Sequence, residues 1–431
     1  FSDSVLKYSN IIIQVFKYDL SSYEETLAIP KIVCKVIGIR LTREDSNNSR
    51  FWWNVVYWFE ATNIFVAAWL ELINLTQTAM EGSFTDLFKM LPCIGYLILA
   101  SMVSIRSEEA MEKKYPIFST LHLLRELREM WPQRQVTAEE HRVLSQALKH
   151  LRYVTKGYYW CNVALNFAFT LRPYIQIVKR LNGQDVPLIL SFFYWLPFDP
   201  FQRGYYEILL ALQTWHCFLT ICLMLSGDLT FCVILSHITT QFDLLSVKIS
   251  SFIEVPVDNQ LVDSYPLAEY SKHRSEQNGQ MMDGMDDAGE TKQLAEMANM
   301  IKHHQALIRL SRQMEEMFSF SLLLNFVNSS IIICFCGFCC VFVEKWNEME
   351  YKMFLATATA QIWLLCWYGQ RLIDASKGVS DALYNSGWYL SSQKIKKCFL
   401  IMIHRSQSEL HVTTYGFSVV SLASFSTVSI V

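Results

Sequence analysis

Charge is scarce in this chain. Asp, Glu, Lys and Arg make up only 18 % of its 431 residues, against 52 % hydrophobic and 14 % aromatic. That balance excludes a disordered chain and points to a polytopic membrane protein. No basic patch with interleaved aromatics is present, so no nucleic-acid partner is expected. No internal repeat is visible, which argues against inverted-repeat transporters. No cleavable signal is expected, because the first long apolar run is a full span. The chain opens at Phe1 without an initiator Met, which reads as a trimmed start. No catalytic constellation stands up: His303 and His304 sit beside Lys302 and Arg309, and His404 and His411 have no acid with Ser or Cys nearby. The chain is therefore read as no enzyme, with no cofactor. Of the 12 Cys, the cluster Cys334-Phe-Cys-Gly-Phe-Cys-Cys340 has no local His or acid, so packed thiols are expected rather than a metal site.

What is present is a series of apolar spans with an asymmetric charge distribution. Lys and Arg crowd residues 1–50 and the stretch from Lys113 to Lys149, while Gln77 to Phe84 has neither. This places the N-terminus in the cytoplasm. The expected fold class is all-α, one seven-helix domain over 1–431 with an extracellular C-terminus. Its parts are a cytoplasmic segment (1–50), spans one to three (51–180) and an extracellular lid loop (181–203). Span four (204–253), a mobile acidic cytoplasmic loop (254–292) and spans five and six (293–373) follow. A cytoplasmic helix and a seventh, pore-lining span close the chain (374–431). The lid reading rests on Phe192-Phe-Tyr-Trp-Leu-Pro-Phe-Asp-Pro-Phe201, too apolar for a solvated loop. Thr137-Ala-Glu-Glu140 is a capping-box pattern, so the third helix starts well below the membrane. The fourth and fifth also continue into the cytoplasm and form an anchor with the basic helix Lys394 to Arg405. The last span, Leu410 to Val431, is charge-free apart from His411 and rich in hydroxyls. Hydroxyls there serve helix contacts or a pore. Asn74-Leu-Thr76 lies on the outside, so Asn74 is a glycosylation candidate.

Several of these residues together resemble the insect odorant receptor family. They are Tyr194-Trp-Leu-Pro-Phe-Asp199, Gln370-Arg-Leu-Ile-Asp374 and Ala382-Leu-Tyr-Asn-Ser-Gly-Trp-Tyr389, set on seven spans with an inside N-terminus. The outer loop, with Leu196-Pro-Phe-Asp-Pro-Phe201, looks most like the moth sex-pheromone receptor branch. The resemblance implies an odorant-gated, non-selective cation channel subunit in a heterotetramer with a shared co-receptor, in the dendritic plasma membrane of a sensory neuron. A gustatory-type channel and a non-channel membrane binding or transport protein are the competing readings. Family members usually continue past Leu422 into a tail around the gate; the chain stops at Val431, so that end is expected to be missing.

The implied ligand is a volatile, apolar molecule, a long-chain alcohol, aldehyde or acetate, entering a cavity in the outer halves of the helices. By topology, those halves carry Phe88, Leu91 and Tyr96 on span two, and Asn166 and Phe169 on span three. Gln213 and Thr214 follow on span four, Phe320, Leu324 and Asn328 on span five, and Phe354, Thr357 and Trp363 on span six. Ser421, Ser424 and Val428 are the pore-lining candidates.

Overall fold

A computed structural model of the chain describes residues 16–17, 20–38, 47–82, 95, 120–132, 135–202, 204–253, 287–342 and 349–430. The expected second span, with Phe88, Leu91 and Tyr96, lies outside the described residues except for Gly95. So do most of the acidic loop and the turn at Lys345-Trp346.

The described elements are β1 (Phe16–Lys17), α1 (Leu20–Thr26), α2 (Ala28–Val36), α3 (Asn47–Met80), α4 (Thr120–Met130), β2 (Gln135–Val136), α5 (Ala138–Leu181), α6 (Tyr205–Ser250), α7 (Asp287–Phe342), α8 (Met349–Asn385), α9 (Gln393–Ser406) and α10 (Leu422–Ile430). The architecture is helical, with one small exception: β1 and β2 pair antiparallel over two residues each.

The three longest helices exceed the thickness of a bilayer. α5, α6 and α7 have 44, 46 and 56 residues. At 1.5 Å per residue these reach about 66, 69 and 84 Å. The hydrocarbon core is about 30 Å thick, so each helix runs far beyond it. Among the described residues, stretches of α3, α6 and α7 are long and apolar enough to cross a membrane by composition alone. The early start of α5 is set by its capping box. The Glu140 amide donates to the Thr137 hydroxyl at 3.3 Å, and the Thr137 amide donates to the Glu140 carboxylate at 2.9 Å. Such a cap contributes on the order of 1 kcal/mol.

α6 is the mast of the bundle. From Leu219 to Leu245 every residue except Ile221, Gly227 and Asp243 is buried. A helix apolar on all sides must be enclosed on all sides. α5, α7 and α8 enclose it along its length, and α1, α2 and α4 close around its lower half. There the Tyr23 ring lies 4.6 Å from that of His237, and the Tyr23 hydroxyl donates to the Leu124 carbonyl at 2.8 Å. Burial pushes the Tyr23 phenol well above its ordinary range. Arg371 pairs with Asp243 at 3.0 Å, which gives the Gln370-Arg371 pair a structural role in tying α8 to α6.

The last segment departs from the expected span. Helix begins at Leu422, not Leu410. Residues 412–420 instead form a tight reversal: the Val420 amide donates to the Val412 carbonyl at 2.8 Å, and Thr413 bridges Val419. Tyr415 and Gly416, at φ 53° and 82°, supply the left-handed turn. The Thr413 hydroxyl donates to Glu315 of α7 at 2.7 Å.

This reversal presses directly on α8 at Gly369. A Cβ there would collide with the Val420 carbonyl oxygen and side chain. Backbone cannot yield as a flexible side chain can. Gly369→Val is therefore expected to displace 412–420 from α8 and cost about 1–3 kcal/mol through overpacking. Cleavage by a cytoplasmically applied protease within 412–420 should rise several-fold; an unchanged digestion rate would contradict the contact.

Candidate ligand-binding site

Four helices meet at one buried carboxylate, Asp228 of α6. The Tyr158 hydroxyl of α5 and the Gln361 amide of α8 both donate to its Oδ2, at 2.7 and 2.8 Å. The Asn325 amide of α7 donates to Oδ1 at 3.2 Å. Ser329 donates to the Gln361 carbonyl oxygen at 3.1 Å. An ionisable group at this depth needs such partners, and they come from α5, α7 and α8.

Above this cluster lies a small cavity of about 40 Å³ between α5, α6 and α8. That is well below the usual volume of a small-molecule site, so a ligand must push the lining apart to enter. Its lining follows helical spacing: Tyr158, Asn162, Leu165 and Phe169 on α5; Cys217, Thr220, Ile221 and Met224 on α6; Phe354, Thr357 and Gln361 on α8. The floor is polar, since Tyr158 and Gln361 are the groups bound to Asp228. The roof is aromatic. Phe192, from the loop between α5 and α6, lies 5.3 Å from Phe169, and Phe169 lies 5.6 Å edge-on to Phe354.

The loop is fastened rather than draped. Gln213, fully buried on α6, accepts from the Phe192 amide at 3.0 Å and donates to the Phe192 carbonyl at 2.9 Å. The Tyr194 ring stacks on Phe192, and its hydroxyl lies 2.7 Å from His216 Nδ1. The Trp195 amide donates to the Leu70 carbonyl at 3.1 Å, and Asn74 Nδ2 donates to the Phe193 carbonyl at 3.0 Å. Asn74 thus sits inside α3 with the nitrogen that a glycan would use turned to the lid. Phe198 and Phe201 stay exposed.

Of the expected pocket residues, Phe169, Phe354 and Thr357 come together at the cavity. Gln213 is placed behind the lid. Asn166 and Thr214 face a second groove on the other side of α5 and α6, open to the bundle exterior and walled by Phe167, Trp215 and Phe218. Asn328 faces Gly95 of the second span. Phe320 meets Tyr415 at 5.9 Å, and the half-exposed Trp363 stacks on Trp367. Leu324, partly buried on α7, is not among the cavity-lining residues. Ser421 and Ser424 lie 3.3 Å apart at the start of α10, with Ser421 accepting from the Ser424 amide at 3.4 Å. The Val428 side chain is outside the described residues.

Removing the Gln213 amide isolates the lid's contribution. Gln213→Leu keeps the volume but leaves the buried Phe192 amide and carbonyl without partners, at about 1–3 kcal/mol each. The lid should open more often, and current should decay several-fold faster after ligand washout. An unchanged decay would show that the lid does not govern escape.

The long helices, with a small cavity beneath a loop pinned to the bundle, define a helical membrane protein of the receptor type. A family model described as 7tm Odorant receptor matches residues 111–430, and the chain belongs to the insect odorant receptor family. Odorant receptor 85b of Drosophila melanogaster is 25 % identical over 379 residues, 86 % of this chain and 87 % of that protein. Odorant receptor 49a of the same species is 33 % identical over 131 residues, 30 % of this chain. The solved olfactory receptor OR5 of Machilis hrabei superposes with a TM-score of 0.74 at 16 % identity, covering 96 % of this chain and 97 % of that one. Its complex with eugenol superposes at 0.71. The fold is thus the seven-helix odorant receptor fold.

Proposed function

We propose that this chain is the odorant-binding subunit of a ligand-gated, non-selective cation channel completed by a shared co-receptor in the dendritic plasma membrane of a sensory neuron. The carrying observation is the small cavity between α5, α6 and α8, lined mostly by apolar groups, polar at its floor and roofed by Phe192. The ligand is a volatile long-chain alcohol, aldehyde or acetate. Burying a chain of about 14 methylenes yields on the order of 10 kcal/mol before ordering costs, enough for tight binding without a charged contact. The eugenol complex of the Machilis receptor supports a small organic ligand in this fold. The outer loop Leu196-Pro-Phe-Asp-Pro-Phe201 favours the moth sex-pheromone branch.

Two surfaces favour an oligomeric channel. α9 buries Ile395, Phe399 and Met402 against the chain but exposes Leu400 and Ile401, 54 % and 72 % accessible, on its other face. An amphipathic helix with a second apolar face needs a second partner. α10 packs on α8 and leaves Ser426 and Thr427 uncovered. That fits a pore wall formed with Ser421, Ser424 and Val428 between subunits.

The test is current in cells expressing this chain with and without the co-receptor during application of straight-chain alcohols, aldehydes and acetates. Current is expected only with both subunits. Ile401→Glu should lower co-purification several-fold at unchanged total expression. Full co-purification of the variant would place the subunit contact elsewhere.

A further inference from the structure

The hydroxyl groups in the cavity wall have already committed their protons. Thr220 donates to the His216 carbonyl of its own helix at 2.8 Å. Thr357 donates to the Met353 carbonyl at 2.7 Å. Tyr158 donates to Asp228 at 2.7 Å. A hydroxyl has one proton and two lone pairs, so each threonine offers the cavity no donor but a lone pair, Thr357 having its other lone pair toward the Cys161 thiol at 3.9 Å. Asn162 and Gln361 each spend one amide hydrogen, on the Tyr158 carbonyl at 3.0 Å and on Asp228 at 2.8 Å. These amides keep one hydrogen each and can serve either way. Summed over the wall, the acceptors exceed the donors.

Position along the helices adds a direction. Thr220 lies one turn below Cys217 on α6, and Thr357 one turn below Phe354 on α8. Both therefore sit beneath the aromatic roof and above the Asp228 cluster. The cavity is apolar at the lid and rich in acceptors toward its floor.

We infer that the agonist carries a hydrogen-bond donor, a terminal hydroxyl, whose proton is taken by a lone pair of Thr220 or Thr357, with its hydrocarbon chain running up to Phe169, Phe192 and Phe354. This rests on the cavity being the ligand site. An ester, aldehyde or ether head can use only the spare hydrogens of Asn162 and Gln361 and leaves the threonine lone pairs unmet in a dry site, whereas a hydroxyl satisfies both kinds of group. Thr220 and Thr357 are then the specificity-determining residues among otherwise apolar contacts.

The experiment measures dose–response curves on the co-expressed receptor for primary alcohols of about twelve to sixteen carbons, beside the aldehydes, acetates and methyl ethers of the same chains, a length that matches the ~14 methylenes above. In the wild type, the best alcohol should be at least about tenfold more potent than its methyl ether, corresponding to roughly 1.4 kcal/mol. The double variant Thr220→Val, Thr357→Val should bring that ratio close to one by weakening the alcohol, while any ether response persists and reports a folded channel. Surface biotinylation provides the same control where the ether is silent. Phe169→Ala tests the cavity separately and should weaken alcohol and ether alike. The inference is overturned if a donor-free analogue matches or exceeds every alcohol, if no alcohol evokes current, or if the double variant keeps the wild-type ratio. A Phe169→Ala channel with unchanged responses to all ligands would instead overturn the cavity reading beneath it.

Discussion

Replacing Asp228 with alanine should nearly abolish the receptor at the cell surface. The carboxylate is the one acceptor shared by Tyr158, Asn325 and Gln361, which belong to three different helices. Truncation strands three donors in a site 3 % exposed. Each unmet buried donor costs about 1–3 kcal/mol. The sum, about 3–9 kcal/mol, is comparable with the whole margin of a typical domain, about 5–15 kcal/mol. Asp228→Asn is the informative companion, because it keeps the shape and one acceptor oxygen. It should retain a measurable surface fraction where alanine retains almost none. Surface biotinylation normalised to total protein reads both. An alanine variant at wild-type surface level would mean that the four helices are held without this junction.

The second large effect is expected at Phe169. Its ring sits between Phe192 of the lid and Phe354 of α8, 5.3 and 5.6 Å away. Phe169→Ala removes the middle of the roof and opens the cavity to the lid. The cost to folding is about 3–5 kcal/mol, so ligand responses must be normalised to surface protein. Potency should then fall at least about tenfold for all ligands, the equivalent of losing about 1.4 kcal/mol of binding. Asn166→Leu, one helical position away from Leu165 but turned to the outer groove, should leave potency unchanged. If Asn166→Leu and Phe169→Ala act alike, the two sides of α5 have been assigned wrongly.

The helix frame was legible because its signals are local. Thr137 and Glu140 announce the start of α5 in four residues, and the long apolar run of span four reads as a helix, enclosed from Leu219 onward. That the loop between α5 and α6 packs down rather than standing in solvent was legible from its aromatic density, as the burial of Phe192 shows. The tail was misread because apolarity outweighed one glycine: Gly416 sets a reversal inside what looks like a span. Pocket residues were harder. Depth along a helix can be taken from sequence, but rotation cannot, and Asn166 and Phe169 differ by three residues and face different cavities. One available signal went unused. Tyr158, Asn162, Leu165 and Phe169 form a single i, i+4, i+7, i+11 stripe that ends beside an intramembrane acid. Gln213 shows the other limit. Its amide reads as a ligand contact, whereas the structure commits both of its ends to the backbone of Phe192.

The most direct measurement is a density map of the receptor, assembled with its co-receptor, in the presence of a saturating agonist. Density for the ligand should lie between α5, α6 and α8, against Phe169, Thr220, Phe354 and Thr357 and beneath Phe192. Ligand density in the outer groove by Asn166, Thr214 and Trp215, with the inner cavity empty, would contradict the assignment.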